Sequence, residues 1–359
     1  MSMRNLQSAV VVASLTFLSS QAYSQETYDW PSERPATPEQ LGKEVDGFLS
    51  SLDAKGLYGV VLLSHKGTIV LHKAYGYADR ESGRRLTTGT GMCIGSIVKP
   101  MTRAALVKLE SAGKLKLDDK LSRFFPEAPP DKADITLQQV MDHKAGFPDM
   151  FGDDYEPMGR DEIVAKIMAA KLLFKPGEKS EYSNSGFSLL GAIIEKTSGI
   201  PYERYVYHEV LKPAGVSRIG YKIPNWKNEE LAVGYRGGKR WGTSLDHPWM
   251  EDGPSWNLRA NGGMIATVEE LYRWFDAILA GRVLSPEATK KYRDMMIRPT
   301  RSGQRAIATA GGNGISNSLY VNVVDSELVF VIFTSVSEFE GEEAFKSIRP
   351  RIEAFLRPP

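Results

Sequence analysis

A serine hydroxyl and a lysine amine three residues apart can form an acyl-transfer centre, and Gly95-Ser96-Ile97-Val98-Lys99-Pro100 carries such a pair. Pro100 has no N–H and would clash with a carbonyl four residues back, so a helix reaching about Leu109 can hold it only in its first turn. Ser96 therefore falls at the helix start, with the Lys99 amine within reach of its hydroxyl. Free N–H groups and the positive dipole end lower the pKa of a nearby ammonium and favour a developing oxyanion. A serine nucleophile needs that set: a hydroxyl, an amine able to be neutral near pH 7, and donors for the charge that attack creates. The spacing alone is common. Ser111 to Lys114 matches it too, but Gly113 reads as a helix C-cap, which leaves Ser111 among free carbonyls as a cap residue. For Ser96 taken by itself, N-capping is as good a reading as catalysis.

A second group of polar side chains follows the Pro176-Gly177 turn. Tyr182-Ser183-Asn184 opens a helix, which puts its side chains at an element boundary rather than in a core. A phenol beside an ammonium can relay a proton, and an amide can orient both that ammonium and a substrate carbonyl. Tyr320-Val321-Asn322 repeats the pattern in mid-strand, where alternation favours packing. The single cysteine, Cys93, allows no intramolecular disulfide and reads as a small buried hydrophobe. Five histidines (65, 72, 143, 208, 247) are scattered and read as surface or loop residues, not metal ligands. There is no HExxH, GxSxG, P-loop or GxGxxG, so neither a metal nor a cofactor is expected.

The elements that must position these groups are legible in outline. Leu41, Val45, Phe48 and Leu49 have helical spacing within 39–52, and residues 59–64 and 68–74 alternate as a hairpin about His65-Lys66-Gly67. From Leu115 onward the pattern is mostly helical, with helices at 136–141, 161–170, 185–196 (closed by Ser198-Gly199) and 202–211. Residues 234–256, rich in Gly, Trp and Pro, read as loops with short strands. Thr267 caps a helix over 268–279, strands run over 318–324 and 328–336, and a helix closes the chain at 342–356. Strands at both ends around a helical middle predict an α+β (α/β sandwich) fold: an antiparallel sheet flanked by helices, discontinuous in sequence, with an inserted, mostly helical domain. We assign 36–125 and 262–359 to the α/β domain, 126–261 to the insert, and expect a ligand cleft between them.

With 359 residues, 42% hydrophobic and 25% charged, the chain can bury a sizeable core without staples. A net charge of +1 gives no field suited to nucleic acid or an anionic membrane. Residues 1–24 combine a polar start with Arg4, an apolar run from about Ala9 to Leu18, and Ala22-Tyr23-Ser24 as a small-x-small cleavage site. That is the form of a secretory signal peptide, and the run is too short to span a bilayer, so a periplasmic or secreted protein is expected. Composition sets no oligomeric state.

Taken in order, Gly95 to Lys99, Lys114 to Asp119 with Phe125-Pro126-Glu127, Asp142 to Pro148, Phe174 to Gly177, Tyr182 to Asn184 and Gly262 to Thr267 resemble the serine β-lactamase and penicillin-binding-protein superfamily. The branch is the class C β-lactamase-like one, which includes D-alanyl-D-alanine carboxypeptidases and esterases. The resemblance implies that Ser96 is acylated, Lys99 activates it, Tyr182 relays the proton and Asn184 orients the site. It also implies a third motif, Lys or His, x, Gly, on a strand facing the serine. The best match is Thr309-Ala310-Gly311-Gly312-Asn313-Gly314, which has neither Lys nor His, with Gly311, Gly312 and Asn313 against the substrate and a second oxyanion donor at Gly312 or Asn313. In the family that cation helps hold a substrate carboxylate. Losing a charge-assisted contact costs roughly 1.5 to 3 kcal/mol, about ten- to more than a hundredfold in binding, and Arg259, Arg301 and Arg305 are the candidate replacements. The expectation is an exported serine hydrolase acting on a small ester, amide or cell-wall-derived substrate, weighted away from β-lactams and stem peptides. The alternative is a catalytically silent, ligand- or peptidoglycan-binding module of the same fold.

Overall fold

The computed structural model describes residues 28–357, apart from Pro248, 301–302 and 336–340; the leader-like segment 1–24 lies outside the described residues. Helix α1 (Pro38–Asp53) starts where Thr37 caps it, accepting from the Gln40 N–H, with Pro38 in the first turn, where its missing donor costs nothing. Strands β1 (Gly59–His65) and β2 (Thr68–Tyr75) form the expected hairpin. Four more strands come from the far end of the chain: β3 (Arg298–Pro299), β4 (Arg305–Gly312), β5 (Ser316–Val323) and β6 (Leu328–Ser335). They join in the order β3-β4-β5-β6-β1-β2, antiparallel throughout.

Both faces of this sheet are covered, and alternation sorts the side chains between them. Val61, Leu63, Leu328, Phe330 and Ile332 pack on Leu41, Val45, Phe48 and Leu49 of α1, together with Ile348 and Ile352 of the closing helix. An ion pair between Glu44 and Arg351 joins those two helices. Val60, Leu62, Val329, Val331 and Phe333 point the other way. There they meet helix α2 (Val98–Ser111) and helix α4 (Val268–Leu279), where the Phe275 ring stacks on Tyr320 at 3.8 Å. Between these two in sequence come helix α3 (Asn184–Ser198) and the shorter helices Leu137–Met141, Arg160–Ala169 and Tyr202–Val206. The apolar residues of α3 join the same core as α2, so α2 is buried between the sheet and the helical segment.

Strand β4 was visible in the sequence only as a candidate motif, because Gly311, Gly312 and three alanines give it little β propensity. The cause is steric. A Cβ on Gly311 would lie 2.5 Å from the Ser96 nitrogen, and one on Gly95, whose φ is +48°, would overlap the Gly312 nitrogen. Backbone must meet backbone where β4 crosses the start of α2.

Candidate active site

One tight turn, Gly95–Ile97, leads into α2 and presents Ser96 half-exposed at its mouth. Pro100 lies in the first turn of the helix, as its chemistry demands. Lys99 is buried, with 5% of its surface exposed, and its Nζ has three partners: Ser96 Oγ at 3.0 Å, Asn184 Oδ1 at 2.7 Å and the Asn261 carbonyl at 2.7 Å. Burial lowers its pKa from 10.5 to about 7; the Asp149 and Asp154 carboxylates oppose that shift and Arg103 adds to it. The two oxygen acceptors each take an N–H, so in the neutral amine the lone pair is left for Ser96. The geometry suits a base.

Tyr182 meets the same hydroxyl from the other side, with its OH 2.5 Å from Ser96 Oγ and the Lys99 ammonium 4.7 Å from its ring centroid. Burial raises the phenol's pKa well above 10, so it enters the reaction as a proton donor. Ser183, between Tyr182 and Asn184, is the N-cap of α3: its hydroxyl accepts from the Gly186 N–H at 3.0 Å, and Gly199 closes the helix with φ +78°. That cap places Tyr182 just before the helix and Asn184 in its first turn. Asp149 sets the Asn184 amide, since its Oδ1 accepts from both Asn184 Nδ2 and the Asn184 N–H at 2.9 Å, turning Asn184 Oδ1 toward Lys99.

Gly311 and Gly312 lie against the Ser96 turn, with the Gly312 nitrogen beside Gly95. Asn313 is placed differently from the other expected contacts. Its N–H donates to the Ser316 carbonyl at 3.2 Å, its Oδ1 accepts from the Ile315 and Ser316 N–H groups, and its Nδ2 donates to Tyr155 OH at 2.8 Å. The side chain holds the β4–β5 turn, and of the two expected backbone donors only Gly312 is not committed there. Two of the three candidate cations are also elsewhere: Arg259 is buried against both Asp252 oxygens (2.7 and 2.8 Å), and Arg305 pairs with Asp325 at the far end of β4. Arg301 lies outside the described residues. The guanidinium at this edge belongs to Arg236, whose Nη2 donates to the Asn313 carbonyl at 3.2 Å from the hairpin formed by Gly234–Arg236 and Lys239–Gly242.

Several contributors were missed in the sequence, His143 among them, although it lies in the Asp142 to Pro148 run and reads there as a surface or loop residue. His143 stacks on Tyr182 (centroids 4.8 Å apart), and its Nδ1 accepts from the Ser183 N–H at 3.2 Å. Burial, then the charges of Lys99 and Arg103, lower its pKa to about 3, so it is a neutral prop for the phenol. Asn261 acts through its carbonyl, a group that every residue has. Asp149 and Asp154 fall in a polar loop without periodicity. Cys93 is buried, and burial pushes its thiol up to about 12, in keeping with a core residue. Among the described residues no cluster of His, Cys, Asp and Glu could hold a metal ion, and no helix is long and apolar enough to cross a membrane.

Known proteins are similar to this chain in sequence and in fold. The Beta-lactamase family model matches residues 45–347. Protein flp of Staphylococcus aureus (strain COL) is 27% identical over 280 residues, which cover 75% of this chain and 53% of that protein, so this chain spans about half its length. Among solved structures, a penicillin-binding protein from Bacillus halodurans superposes with a TM-score of 0.69 at 22% identity, covering 87% of this chain and all of that one. D-amino acid amidase from Ochrobactrum anthropi SV3, complexed with L-phenylalanine, superposes with a TM-score of 0.70 at 20% identity, covering 86% and 98%.

Proposed function

From the premise that this chain belongs to the Beta-lactamase family, we propose that it is a serine hydrolase that cleaves an ester or amide through an acyl-enzyme on Ser96. The observation that carries the reading is the pair of contacts on one hydroxyl, Lys99 Nζ at 3.0 Å and Tyr182 OH at 2.5 Å. Neutral Lys99 takes the Ser96 proton as Oγ attacks the carbonyl, and the Ser96 and Gly312 N–H groups face the oxyanion. The phenol then gives its proton to the departing alcohol or amine and takes back the one that Lys99 removed from Ser96. In the second half, water loses a proton to neutral Lys99 and attacks the acyl carbon, and Lys99 returns that proton to Ser96 Oγ as the acid leaves. The same reading places the mature chain outside the cytoplasm, on the strength of the leader-like residues 1–24.

A fluorophosphonate probe tests it directly. Wild type is expected to form an adduct mapping to Ser96, with none in Ser96→Ala; equal labelling of both would refute the mechanism, and no labelling of either would leave a binding module. A short-chain nitrophenyl ester is expected to be a better substrate than a chromogenic cephalosporin, and the reverse order would overturn the weighting away from β-lactams.

A further inference from the structure

The loop 149–158 crosses the mouth of the site and is tied down on both sides of the nucleophile. At one end Asp149 holds Asn184. Further along, Tyr155 OH bonds Asn313 at the end of β4, and the Tyr155 ring packs on Trp241 (4.9 Å) and His247 (5.3 Å). The Ser255 hydroxyl, the Asn257 amide and the Trp256 N–H bond the carbonyls of Glu156, Asp153 and Met158. Its carboxylates have local duties with one exception. Asp149 serves Asn184, Asp153 Oδ1 accepts from the Tyr155 N–H at 3.1 Å, and Glu156 Oε2 accepts from the Asp153 N–H at 3.3 Å. Asp154 is half-buried between the two anchor points, and among the described residues none donates a hydrogen bond to its carboxyl.

We propose that Asp154 is the subsite for a substrate ammonium group, so that the preferred acyl donors are amides or esters of amino acids with a free amine beside the scissile carbonyl. Burying a carboxylate without a donor is costly, and a bound ammonium supplies the missing partner. The loop carries it between the Asp149–Asn184 and Tyr155–Asn313 contacts on either side of the site, and its charge is felt at Lys99 and at Tyr182, with Lys99 and then Arg236 as the cations that favour its ionised form. Burial, with Asp153 and Asp149 adding to it, raises the Asp154 pKa to about 6, which leaves it ionised at the pH where Lys99 is a free base. Lys99 and Tyr182 already supply proton transfer for both half-reactions, so the carboxylate is free for recognition.

This inference rests on the acyl-enzyme reading, and its test separates the two. The substrates are phenylalanyl p-nitroanilide in both enantiomers, its N-acetyl and des-amino counterparts, and p-nitrophenyl acetate, at pH 8 with wild type, Asp154→Asn and Asp154→Glu. Wild type is expected to prefer a free-amine substrate. Asp154→Asn should lower kcat/KM on it by about ten- to a hundredfold, the scale of a lost charge-assisted hydrogen bond. The des-amino substrate and the acetate should change by less than about threefold, and Asp154→Glu should recover part of the preference. A uniform loss on all substrates, as for a general base or a merely structural residue, would overturn the proposal, as would no loss or a wild-type preference for the acylated amine. Calorimetric binding of phenylalaninamide to Ser96→Ala, with and without Asp154→Asn, needs no turnover. A tenfold weaker binding in the double variant supports the subsite even if Ser96 proves unreactive, and equal binding refutes it.

Discussion

Gly311→Ala adds one carbon and removes no side chain, yet it should cripple the site. The new Cβ would lie 2.5 Å from the Ser96 nitrogen, 2.9 Å from the Gly95 carbonyl carbon and closer still to the Ile94 carbonyl oxygen, all of them backbone atoms that no rotamer change can move. An ordinary contact needs about 3.4 to 4 Å, so strand and nucleophile turn must part by about 1 Å. Two consequences follow with different sizes. Overpacking of this kind costs typically 1–3 kcal/mol of stability. A 1 Å displacement of a reacting group costs on the order of a hundredfold in rate, and here it displaces both the nucleophile and the Ser96 N–H. The expected result is a folded protein with a modestly lowered Tm and a rate of fluorophosphonate labelling at Ser96 down by about a hundredfold or more. Gly89→Ala is the control, because the nearest atom to its Cβ is the Thr87 hydroxyl at 3.8 Å and its φ is not positive; it should label at the wild-type rate. Labelling of Gly311→Ala within about threefold of wild type would refute the claim that backbone contact between β4 and the Ser96 turn sets the nucleophile.

Lys99 works as a free base, so kcat/KM for a neutral ester should rise with pH through about 7, falling about tenfold per unit below it. The groups that face it, Asp149, Asp154, Arg103, His143 and Tyr182, leave no other amine to produce that limb, and a limb near 10 would refute the role of burial. Asp149 should separate charge from orientation: Asp149→Asn keeps an oxygen that accepts from Asn184, so it should retain most of the plateau rate and move the limb to lower pH, because a carboxylate that stabilises the ammonium is gone. Asp149→Ala removes both contacts and should lower the plateau about tenfold or more, and equal plateau rates for the two variants would show that the Asn184 amide needs no anchor.

What could be read in the sequence follows from how local each contact is. Ser96 and Lys99 are joined by three residues of helix, so their contact is a property of the segment, and Pro100 marks where that helix begins. Tyr182 and Asn184 were visible because Ser183 caps a helix there, although the partner they meet lies more than eighty residues away. The contacts that stayed hidden have no local signature: the Asn261 carbonyl, the Asp149 hold on Asn184, and the Arg236 guanidinium at Asn313 all depend on where distant segments are brought. Of the longer strands, the β1–β2 hairpin was legible from alternation and β5 and β6 from their β-rich runs, whereas β4 was not, and that failure is itself informative. A strand assembled from alanine and two glycines breaks the local rule for a strand because a larger requirement overrides it. With no side chain at 311 or at 95, β4 can lie on the turn that carries Ser96, and a residue that propensity would favour there, such as valine, would push the nucleophile out of place. A weak strand signal therefore falls at a strand the site depends on, because close approach to Ser96 and high β propensity cannot be had in the same residue.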